Sequence, residues 1–193
     1  MKQAKTNFGN LKILLCVTAG IAAYKVVDLA AKLTGLGACV KTAMTENACE
    51  LIGPKSFEAV TNSAVFTSLW THPDGYNICH INLRDWADIV IVAPATANII
   101  AKFANGICDC LVSTILCASW QKPILIAPAM NNDMWENPAV QKNIETVKQM
   151  GADLIGPEHG RLACGTQGTG RMAEPGTITE AIERIAKGLK TGN

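Results

Sequence analysis

The segment PAMNNDMW at 128–135 places two adjacent carboxamides beside an acid, two methionines and a tryptophan. It directly follows the apolar run KPILIA at 122–127, which is typical of a buried strand. A turn needs only Gly, Asn, Asp or Ser, so the thioethers and the indole need another explanation. Carboxamides donate hydrogen bonds without adding charge, and ligands bind beyond strand ends in α/β sheets. The segment is therefore a candidate binding site.

Two other residues have side chains suited to proton transfer. Cys164 lies in a Gly-rich segment, whereas most of the other cysteines lie in apolar runs, so its thiol is expected to be accessible and able to ionise. His80 is expected in a long loop before INLRDWAD, together with His72, Pro73, Asp74 and Gly75. Taken alone, His80 is also consistent with a surface or structural role, and Cys164 with an inert thiol.

Small or polar residues follow four apolar runs, as TAGI, MTEN, APATAN and APAMNN. Small residues let backbone N–H groups approach a ligand, and helix N-termini favour phosphate. Because the chain contains neither GxGxxG nor GxxxxGK[ST], a mononucleotide such as FMN is the natural candidate. Thr45, Thr96 and Asn98 would then offer phosphate or ring contacts, although these residues could equally well only cap helices.

Apolar runs and helical periodicities alternate along the chain. Strands are predicted at 11–17, 38–44, 87–94, 122–130 and 152–156, with a further short strand within 63–83. Helices are predicted at 21–37, 45–61, 96–119, 137–151 and 177–189. This alternation predicts an α/β fold, a three-layer Rossmann/flavodoxin-like sandwich with a central parallel sheet.

Punctuating residues refine the predicted helices. Thr45 is a candidate N-cap, and Pro54 should break the helix that follows it. Gly106 is a candidate interruption. Pro138 lies near the start of a helix that Gly151 follows, and Thr177 or Thr179 should cap the last helix.

The segment PEHGRLACGTQGTGRMAEPG at 157–176 is predicted to be a loop without secondary structure. Loops of this length in a compact domain are usually lids or binding loops, or else they are disordered. We therefore expect a Gly-rich flap at about 156–175 within one domain that covers 1–193.

Composition narrows the range of functions. The formal net charge of +1 without a basic run argues against nucleic acid and membrane surfaces as partners. The longest apolar runs are interrupted and fall short of the ~20 residues of a membrane span. A polar N-terminus without a signal sequence predicts a cytoplasmic protein. Only 17% of the residues are charged, so we expect part of the surface to be buried between subunits.

The eight cysteines do not indicate a metal site. The CDC at 108–110 lacks the spacing of a zinc knuckle, and the three histidines form no HxxxH or HxxC pair. We therefore expect neither a metal nor, in a cytosolic chain, disulfides.

These motifs together resemble the flavin-containing cysteine decarboxylases, in the branch that acts on phosphopantothenoylcysteine. PAMNNDMW matches the family's PxMNxxMW motif at all six fixed positions, and LACGTQGTGRMAEP is similar to its Cys-Gly flap. PATANI resembles the Pro-x-Ser-Ala-Asn-Thr motif, with Thr96 and Ile99 as departures. TAGIAAYK resembles the flavin loop, with Ala19-Gly20 where Gly-Ser is usual. The resemblance covers about residues 11 to 187.

The resemblance implies a role for each of these segments. The FMN contacts would come from Ala19, Gly20, Ile21, Thr45, Thr96, Ala97, Asn98, Ile99 and Ala129. Asn131 would hold the substrate carboxylate, with Met134, Arg161 and Ala163 as further substrate contacts. His80 would act as a base or orient the substrate, and Cys164 would donate a proton.

The reaction that the resemblance implies is redox-neutral. FMN would oxidise the thiol of 4′-phosphopantothenoylcysteine to a thioaldehyde, carbon dioxide would leave, and re-reduction would give 4′-phosphopantetheine, a coenzyme A precursor. Family members form homotrimers or dodecamers of trimers with the site between subunits. The chain could be a stand-alone enzyme or one domain of a bifunctional protein.

Three related functions remain as alternatives. An oxidative decarboxylase of peptide C-terminal cysteine would share PxMNxxMW but generally lacks the flap cysteine. A flavin prenyltransferase would not be expected to carry the full PxMNxxMW motif. A phosphatase-regulatory relative, which is not an enzyme, tends to carry long acidic extensions, and this sequence ends in GLKTGN.

Overall fold

The computed structural model, which describes residues 8–70 and 79–191, has a parallel sheet of six strands at its centre. Its strands are β1 (Lys12–Val17), β2 (Cys39–Met44), β3 (Val65–Phe66), β4 (Ile89–Ala95), β5 (Ile124–Pro128) and β6 (Asp153–Leu154). In β4, the sequence IVIVAPA is buried at all seven positions. A strand without polar alternation is typical of a sheet that is covered on both faces.

Helices occupy the connections between these strands. They are α1 (Ala23–Gly35), α2 (Glu46–Cys49), α3 (Pro54–Thr61), α4 (Cys79–Trp86), α5 (Ala97–Ala104), α6 (Leu111–Ala118), α7 (Asn132–Glu136), α8 (Pro138–Gln149) and α9 (Pro175–Thr191). Within the described residues, none of these helices is both long and apolar enough to cross a membrane.

The helices cover both faces of the sheet. On one face α1, α3 and α9 pack over a core that includes Ile13, Leu15 and Ile91. On the other face α4, α5, α6 and α8 pack over a core that includes Leu14, Val90 and Ile126. Neighbouring residues of one strand thus enter opposite cores, as strand geometry requires. The predicted three-layer α/β sandwich is confirmed.

The strand order is β3-β2-β1-β4-β5-β6, and all five pairs are parallel. The chain moves outward from β1 to β3 and then returns to the middle of the sheet at β4. The connections after β1 and β4 therefore diverge and leave a crevice at the carboxyl ends of these strands, which is where α/β proteins bind ligands.

Most of the predicted helix signals lie where the structure needs them. The Thr45 hydroxyl accepts a hydrogen bond from the N–H of Ala48 and caps α2, and Pro54 begins α3. Gly106, with φ of +67°, separates α5 from α6. Pro138 begins α8, and Gly151 follows its end with φ of +92°.

The prediction of a structureless flap at 157–176 is wrong, because part of this segment forms an antiparallel hairpin. Its strands are β7 (Glu158–Arg161) and β8 (Gln167–Arg171). The turn closes through a hydrogen bond from the N–H of Gly165 to the carbonyl of Leu162 (3.0 Å), with Gly165 at φ of +89°. A glycine at this left-handed position is typical of a hairpin whose turn ends in a bulge.

Two local predictions near helix starts are also wrong. His80 lies in the first turn of α4 and not in a loop, because Cys79 and Leu83, one helical turn apart, are both buried in the core. The last helix begins at Pro175, so Thr177 and Thr179 lie inside it, and the Thr179 hydroxyl donates to the carbonyl of Pro175. The predicted loop residues His72, Pro73, Asp74 and Gly75 lie outside the described residues.

Candidate active site

A cavity of about 670 Å³ opens at the carboxyl ends of β1, β4 and β5, beside the crevice that the strand order creates. A volume of this size suits a cofactor or a small-molecule ligand. The connections after these three strands form one side of the cavity, and the β7–β8 hairpin forms the other. Its walls are formed by Ala19, Gly20, Ile21, Ala22, Tyr24, Lys25, Thr96, Ala97, Ala129, Met130, Asn131, Met134, Arg161, Leu162, Ala163, Cys164, Gly170, Arg171 and Met172.

The turn after β1 is held against the end of β4. The Thr18 hydroxyl donates a hydrogen bond to the carbonyl of Pro94 (2.6 Å) and accepts one from the N–H of Thr96 (3.2 Å). A Cβ on Gly20 would lie 3.2 Å from the Cγ of Pro94, which leaves little room for a side chain. Ala19 and Gly20 add little or no side chain to the wall here, so a flat ligand can approach the backbone closely.

The N-terminus of α5 opens into the same side of the cavity. The Thr96 hydroxyl accepts a hydrogen bond from the N–H of Ile99 (3.3 Å) and caps the helix. The first N–H groups of a helix have no intrahelical acceptor, so those of Ala97 and Asn98 carry partial positive charge at this end. This side of the cavity is suited to an electron-rich or anionic group.

Asn131 is fixed by the short helix α7, which we did not predict. Its side-chain oxygen accepts a hydrogen bond from the N–H of Asp133 (2.8 Å) and caps that helix. Because the oxygen is engaged, the Nδ2 amide is left to donate, and it lies 3.5 Å from the sulfur of Cys164. The backbone N–H of Asp133 thus holds the Asn131 side chain so that its amide donor lies at the cavity wall.

The hairpin lies directly on the segment that carries Asn131. The N–H of Met130 donates a hydrogen bond to the carbonyl of Gly170 (2.9 Å). A Cβ on Gly170 would lie 2.1 Å from the carbonyl oxygen of Met130, and one on Gly168 would lie 2.7 Å from the Cβ of Asn132. Contacts this short do not occur, so the docking of β8 requires glycine at both positions.

Cys164 lies at the tip of the hairpin and lines the cavity. Its sulfur is 3.0 Å from the Thr166 hydroxyl as well as 3.5 Å from Asn131. Hydrogen bonds from Thr166 and Asn131 lower the pKa of the Cys164 thiol, because they stabilise the thiolate. Burial has the opposite effect elsewhere and raises the pKa of Cys16 and Cys49.

Four charged residues tie the hairpin to α1. Lys25 on α1 contacts the carboxylate of Glu174 at 2.8 Å, and Arg171 on β8 contacts the same carboxylate. Arg171 also lies 3.7 Å from a carboxylate oxygen of Glu158. Lys25 and Arg171 hold the pKa of Glu174 below its ordinary value. These four charges balance, and Arg161 forms no ion pair with any described residue, so the cavity wall carries one positive charge that is not neutralised.

The structure brings most of the predicted site residues to this one cavity. Four predicted residues lie outside its wall: Thr45 caps α2, Asn98 is exposed on α5, Ile99 is buried in the core, and His80 lies on α4. Asn131 and Cys164 therefore meet within one copy of the chain, whereas His80 does not join them there.

Several residues of the wall were not predicted from the sequence. Lys25 and Arg171 were not predicted because they lie on elements far apart in the sequence and belong to no recognisable sequence motif. The docking glycines were noted only as part of a Gly-rich stretch. Their spacing of two, at Gly168 and Gly170, places both on one face of a strand, and that signal could have indicated a hairpin packed against another segment.

The chain is similar to several known proteins. The flavoprotein family model matches residues 1–187. The coenzyme A biosynthesis bifunctional protein CoaBC of Bacillus subtilis (strain 168) is 46% identical over 175 residues, which are 91% of this chain and 43% of that protein. The chain thus spans less than half the length of this curated relative.

Two solved structures share the fold over nearly their whole length. One is a cysteine-to-serine mutant of PPC decarboxylase complexed with pantothenoylaminoethenethiol, with 32% identity, a TM-score of 0.84 and coverage of 92% of this chain and 99% of that one. The other is the FMN-dependent cysteine decarboxylase SpaF, with 31% identity, a TM-score of 0.81 and coverage of 93% and 99%.

Replacing Gly170 by alanine should undock the hairpin, because the added methyl group would overlap the carbonyl of Met130. We expect trypsin to cleave the native protein after Arg161 and Arg171 at least about tenfold faster, since local opening exposes the backbone. Peptide mass analysis measures these cuts. Gly176→Ala is the matched control, because a Cβ there meets no atom within 4 Å. Equal cleavage of the two variants would contradict the docking.

Replacing Glu174 by glutamine should weaken the tie between α1 and the hairpin. The folded-state pKa of Glu174 lies below its ordinary value of 4.5. Its charge therefore stabilises the fold above that pH, and this stabilisation is lost as the pH falls through the lowered value. The side chain is 43% exposed, so we expect a loss of at most about 1 kcal/mol at pH 7 after solvent screening.

Urea unfolding of the wild type and Glu174→Gln at a series of pH values measures this effect. The two free energies of unfolding should differ at pH 7 and converge below pH 4.5. Glu180→Gln, an exposed position on α9, is the control and should match the wild type throughout. A difference that persists or grows in acid would show that Glu174 does not act through its charge.

Proposed function

The chain belongs to the flavoprotein family, and on that premise we propose that it binds FMN and decarboxylates 4′-phosphopantothenoylcysteine to 4′-phosphopantetheine in coenzyme A biosynthesis. The observation that carries the proposal is the approach of Asn131 and Cys164 to 3.5 Å in the wall of one cavity. A neutral donor for a carboxylate and an acid for a carbon atom are thereby available at one place.

The comparisons favour this one activity of a bifunctional relative. The chain aligns with 43% of CoaBC but with 99% of the PPC decarboxylase chain. PPC decarboxylase is a carboxy-lyase, and its mutant is in complex with pantothenoylaminoethenethiol in that structure. We therefore propose the decarboxylase activity for this chain. The cytoplasm, predicted from the sequence, is the location we propose for it.

The side of the cavity formed by the sheet fits FMN. Ala19, Gly20, Ala97 and Ala129 are small and leave space beside the backbone. Ile21 would pack on the ring system, and the N-terminus of α5 would face an anionic or electron-rich group. When bound, FMN supplies a reversible two-electron acceptor, so that the substrate thiol can be oxidised to a thioaldehyde before carbon dioxide leaves and reduced again afterwards.

Asn131 is suited to a carboxylate that must leave. Its Nδ2 donates a hydrogen bond without bringing a full charge, because the side chain is a neutral amide. A cation at this point would stabilise the carboxylate of the bound substrate more than the transition state, in which that charge disperses. Met134, which lies in the same wall, adds an apolar surface that favours the uncharged product carbon dioxide.

Cys164 is suited to protonate carbon after carbon dioxide has left. Its thiol faces the cavity, and its pKa is lowered by neutral hydrogen-bond donors. Arg161 and Ala163 lie beside it on the hairpin and would contact the substrate. Arg161 is the charged group of the wall without a described ion pair, so it is suited to an anionic part of the substrate.

His80 would complete the site from a neighbouring copy of the chain. We propose a homotrimer, or a dodecamer of such trimers, in which α4 of one subunit reaches the cavity of the next. The cavity is open, and Ile21 and Tyr24 in its wall are 63% and 62% exposed. Large apolar side chains at the rim of a site favour burial against another subunit. His80 would then act as a base or orient the substrate.

An oxidative decarboxylase of peptide C-terminal cysteine is the second candidate, because the peptidyl-cysteine decarboxylase EpiD shares the fold at 26% identity with a TM-score of 0.75. Such an enzyme would stop at the enethiol. The two candidates differ in the last step, for which Cys164 is the proposed acid, so the mass of the product distinguishes them.

We expect the purified protein with FMN to convert 4′-phosphopantothenoylcysteine to a product lighter by one carbon dioxide. Cys164→Ser should still release carbon dioxide but give a product lighter by two further hydrogens, because the final reduction of the substrate lacks its acid.

Asn131→Asp should raise KM by at least about tenfold, since the new carboxylate and the substrate carboxylate repel each other. Mass spectrometry and steady-state kinetics measure both effects.

Cys39→Ser, an exposed position outside the cavity wall, is the control and should match the wild type. Full conversion by Cys164→Ser would remove Cys164 from the reaction. A wild-type product that itself lacks two hydrogens would replace our proposal by the oxidative alternative.

Subunit mixing tests the shared site. The variants His80→Asn and Cys164→Ser should each fail to complete the reaction alone. After the subunits of the two variants are mixed and exchanged in equal amounts, about a quarter of the sites should be active, because a site between subunits can take both intact residues from different copies. Native mass spectrometry verifies the exchange. Mixed trimers without activity, or an active monomer, would contradict a site shared between subunits.

A further inference from the structure

The turn of the hairpin places Thr166 beside Cys164. The N–H of Leu162 donates to the carbonyl of Thr166 (2.9 Å), and the N–H of Gly165 donates to the carbonyl of Leu162 (3.0 Å). These two bonds fix the backbone on both sides of Cys164. The Thr166 hydroxyl then lies 3.0 Å from the Cys164 sulfur, which is the shortest contact of that sulfur with a side chain.

Apart from Arg161, the other polar groups near Cys164 are either its weaker partner or are paired elsewhere. Asn131, from the connection after β5, is its second hydrogen-bond partner. The charged side chains of the same wall are Arg161 and Arg171 on the hairpin and Lys25 on α1. Lys25 and Arg171 are both paired with Glu174, and Arg171 also lies near Glu158. Asp133 on α7 contacts Asn131 and Asn132 and does not contact the sulfur.

A hydroxyl at this position can serve both protonation states of the sulfur. It can accept a hydrogen bond from the thiol, and after rotation it can donate one to the thiolate. Hydrogen bonds of this kind lower the pKa of Cys164, with the Thr166 hydroxyl as the largest cause. Thr166 does not itself line the cavity, so it acts on a ligand only through Cys164.

We infer that Thr166 is a positioning residue, which holds the Cys164 sulfur toward Asn131 and stabilises the thiolate that remains when Cys164 protonates the substrate. This inference rests on the proposed function. In the step concerned, the S–H bond of Cys164 breaks and a C–H bond forms at the carbon that lost carbon dioxide. Bound FMN in its reduced form would supply a hydride for the neighbouring carbon, which bears the substrate sulfur, and water would return a proton to the Cys164 sulfur.

The first test measures the thiol directly and needs no substrate. Wild type, Thr166→Val and Thr166→Ser are treated with iodoacetamide in the presence of FMN at a series of pH values, then denatured and digested with trypsin. Cleavage after Arg161 and Arg171 gives the peptide 162–171, in which Cys164 is the one cysteine. The peptide 33–41 carries Cys39 in the same way and serves as an internal control.

We expect the alkylation profile of Cys164 to move to higher pH in Thr166→Val, because the thiolate loses its hydroxyl donor. Thr166→Ser should follow the wild type, and the profile of Cys39 should be the same in all three proteins. Superimposed profiles of Cys164 in the wild type and the valine variant would overturn the inference.

The second test follows the reaction. In Thr166→Val, carbon dioxide release should keep its wild-type rate while the final reduction slows roughly three- to tenfold, the range that one hydrogen bond controls. The product two hydrogens lighter should then accumulate, and Thr166→Ser should prevent this. An unchanged product ratio in the valine variant would overturn the inference. If the wild type releases no carbon dioxide, the proposed function fails, and the alkylation profiles still decide whether Thr166 controls Cys164.

Discussion

The arrangement of the site depends on one close contact, the packing of β8 against the segment that follows β5. The N–H of Met130 donates to the carbonyl of Gly170, and Gly168 lies against the side chain of Asn132. A side chain on either glycine would separate the two segments. The contact joins residues about 40 positions apart in the chain, and it brings the hairpin tip with Cys164 to Asn131. Without it, the cavity would lose one of its two sides.

The remaining structure supplies the frame for this contact. The connections after β1 and β4 diverge and leave a crevice. The small residues Ala19, Gly20 and Ala97 line the cavity there, which suits a flat cofactor. The hairpin supplies the side that holds the thiol and Arg161. The charges of Lys25, Arg171, Glu158 and Glu174 join the two sides through α1. These pairs are partly exposed, so each contributes little to stability. The docking of the hairpin depends mainly on the two glycines.

The sheet and its helices could be predicted because their signals are local. The runs at β1, β4 and β5 are apolar on both faces, and Pro54, Gly106 and Gly151 mark helix boundaries at the positions observed. The hairpin could not be predicted in the same way, since β7 and β8 are polar and rich in glycine, and their stability comes from a distant segment. The helical position of His80 also depends on tertiary burial, here of Cys79 and Leu83.

The site residues also fall into those that the sequence could indicate and those that only the fold reveals. Asn131 and Cys164 carried chemical signals in the sequence, whereas Lys25, Thr166 and Arg171 derive their roles from contacts that only the fold creates.

The most direct test of the docking is the rate of amide hydrogen exchange at Met130, measured by NMR in the native protein. We predict slow exchange, comparable to that of the neighbouring β5 amides, because the N–H is bonded to Gly170. Fast exchange at Met130, with β5 protected, would contradict a docked hairpin and with it the joint placement of Asn131 and Cys164.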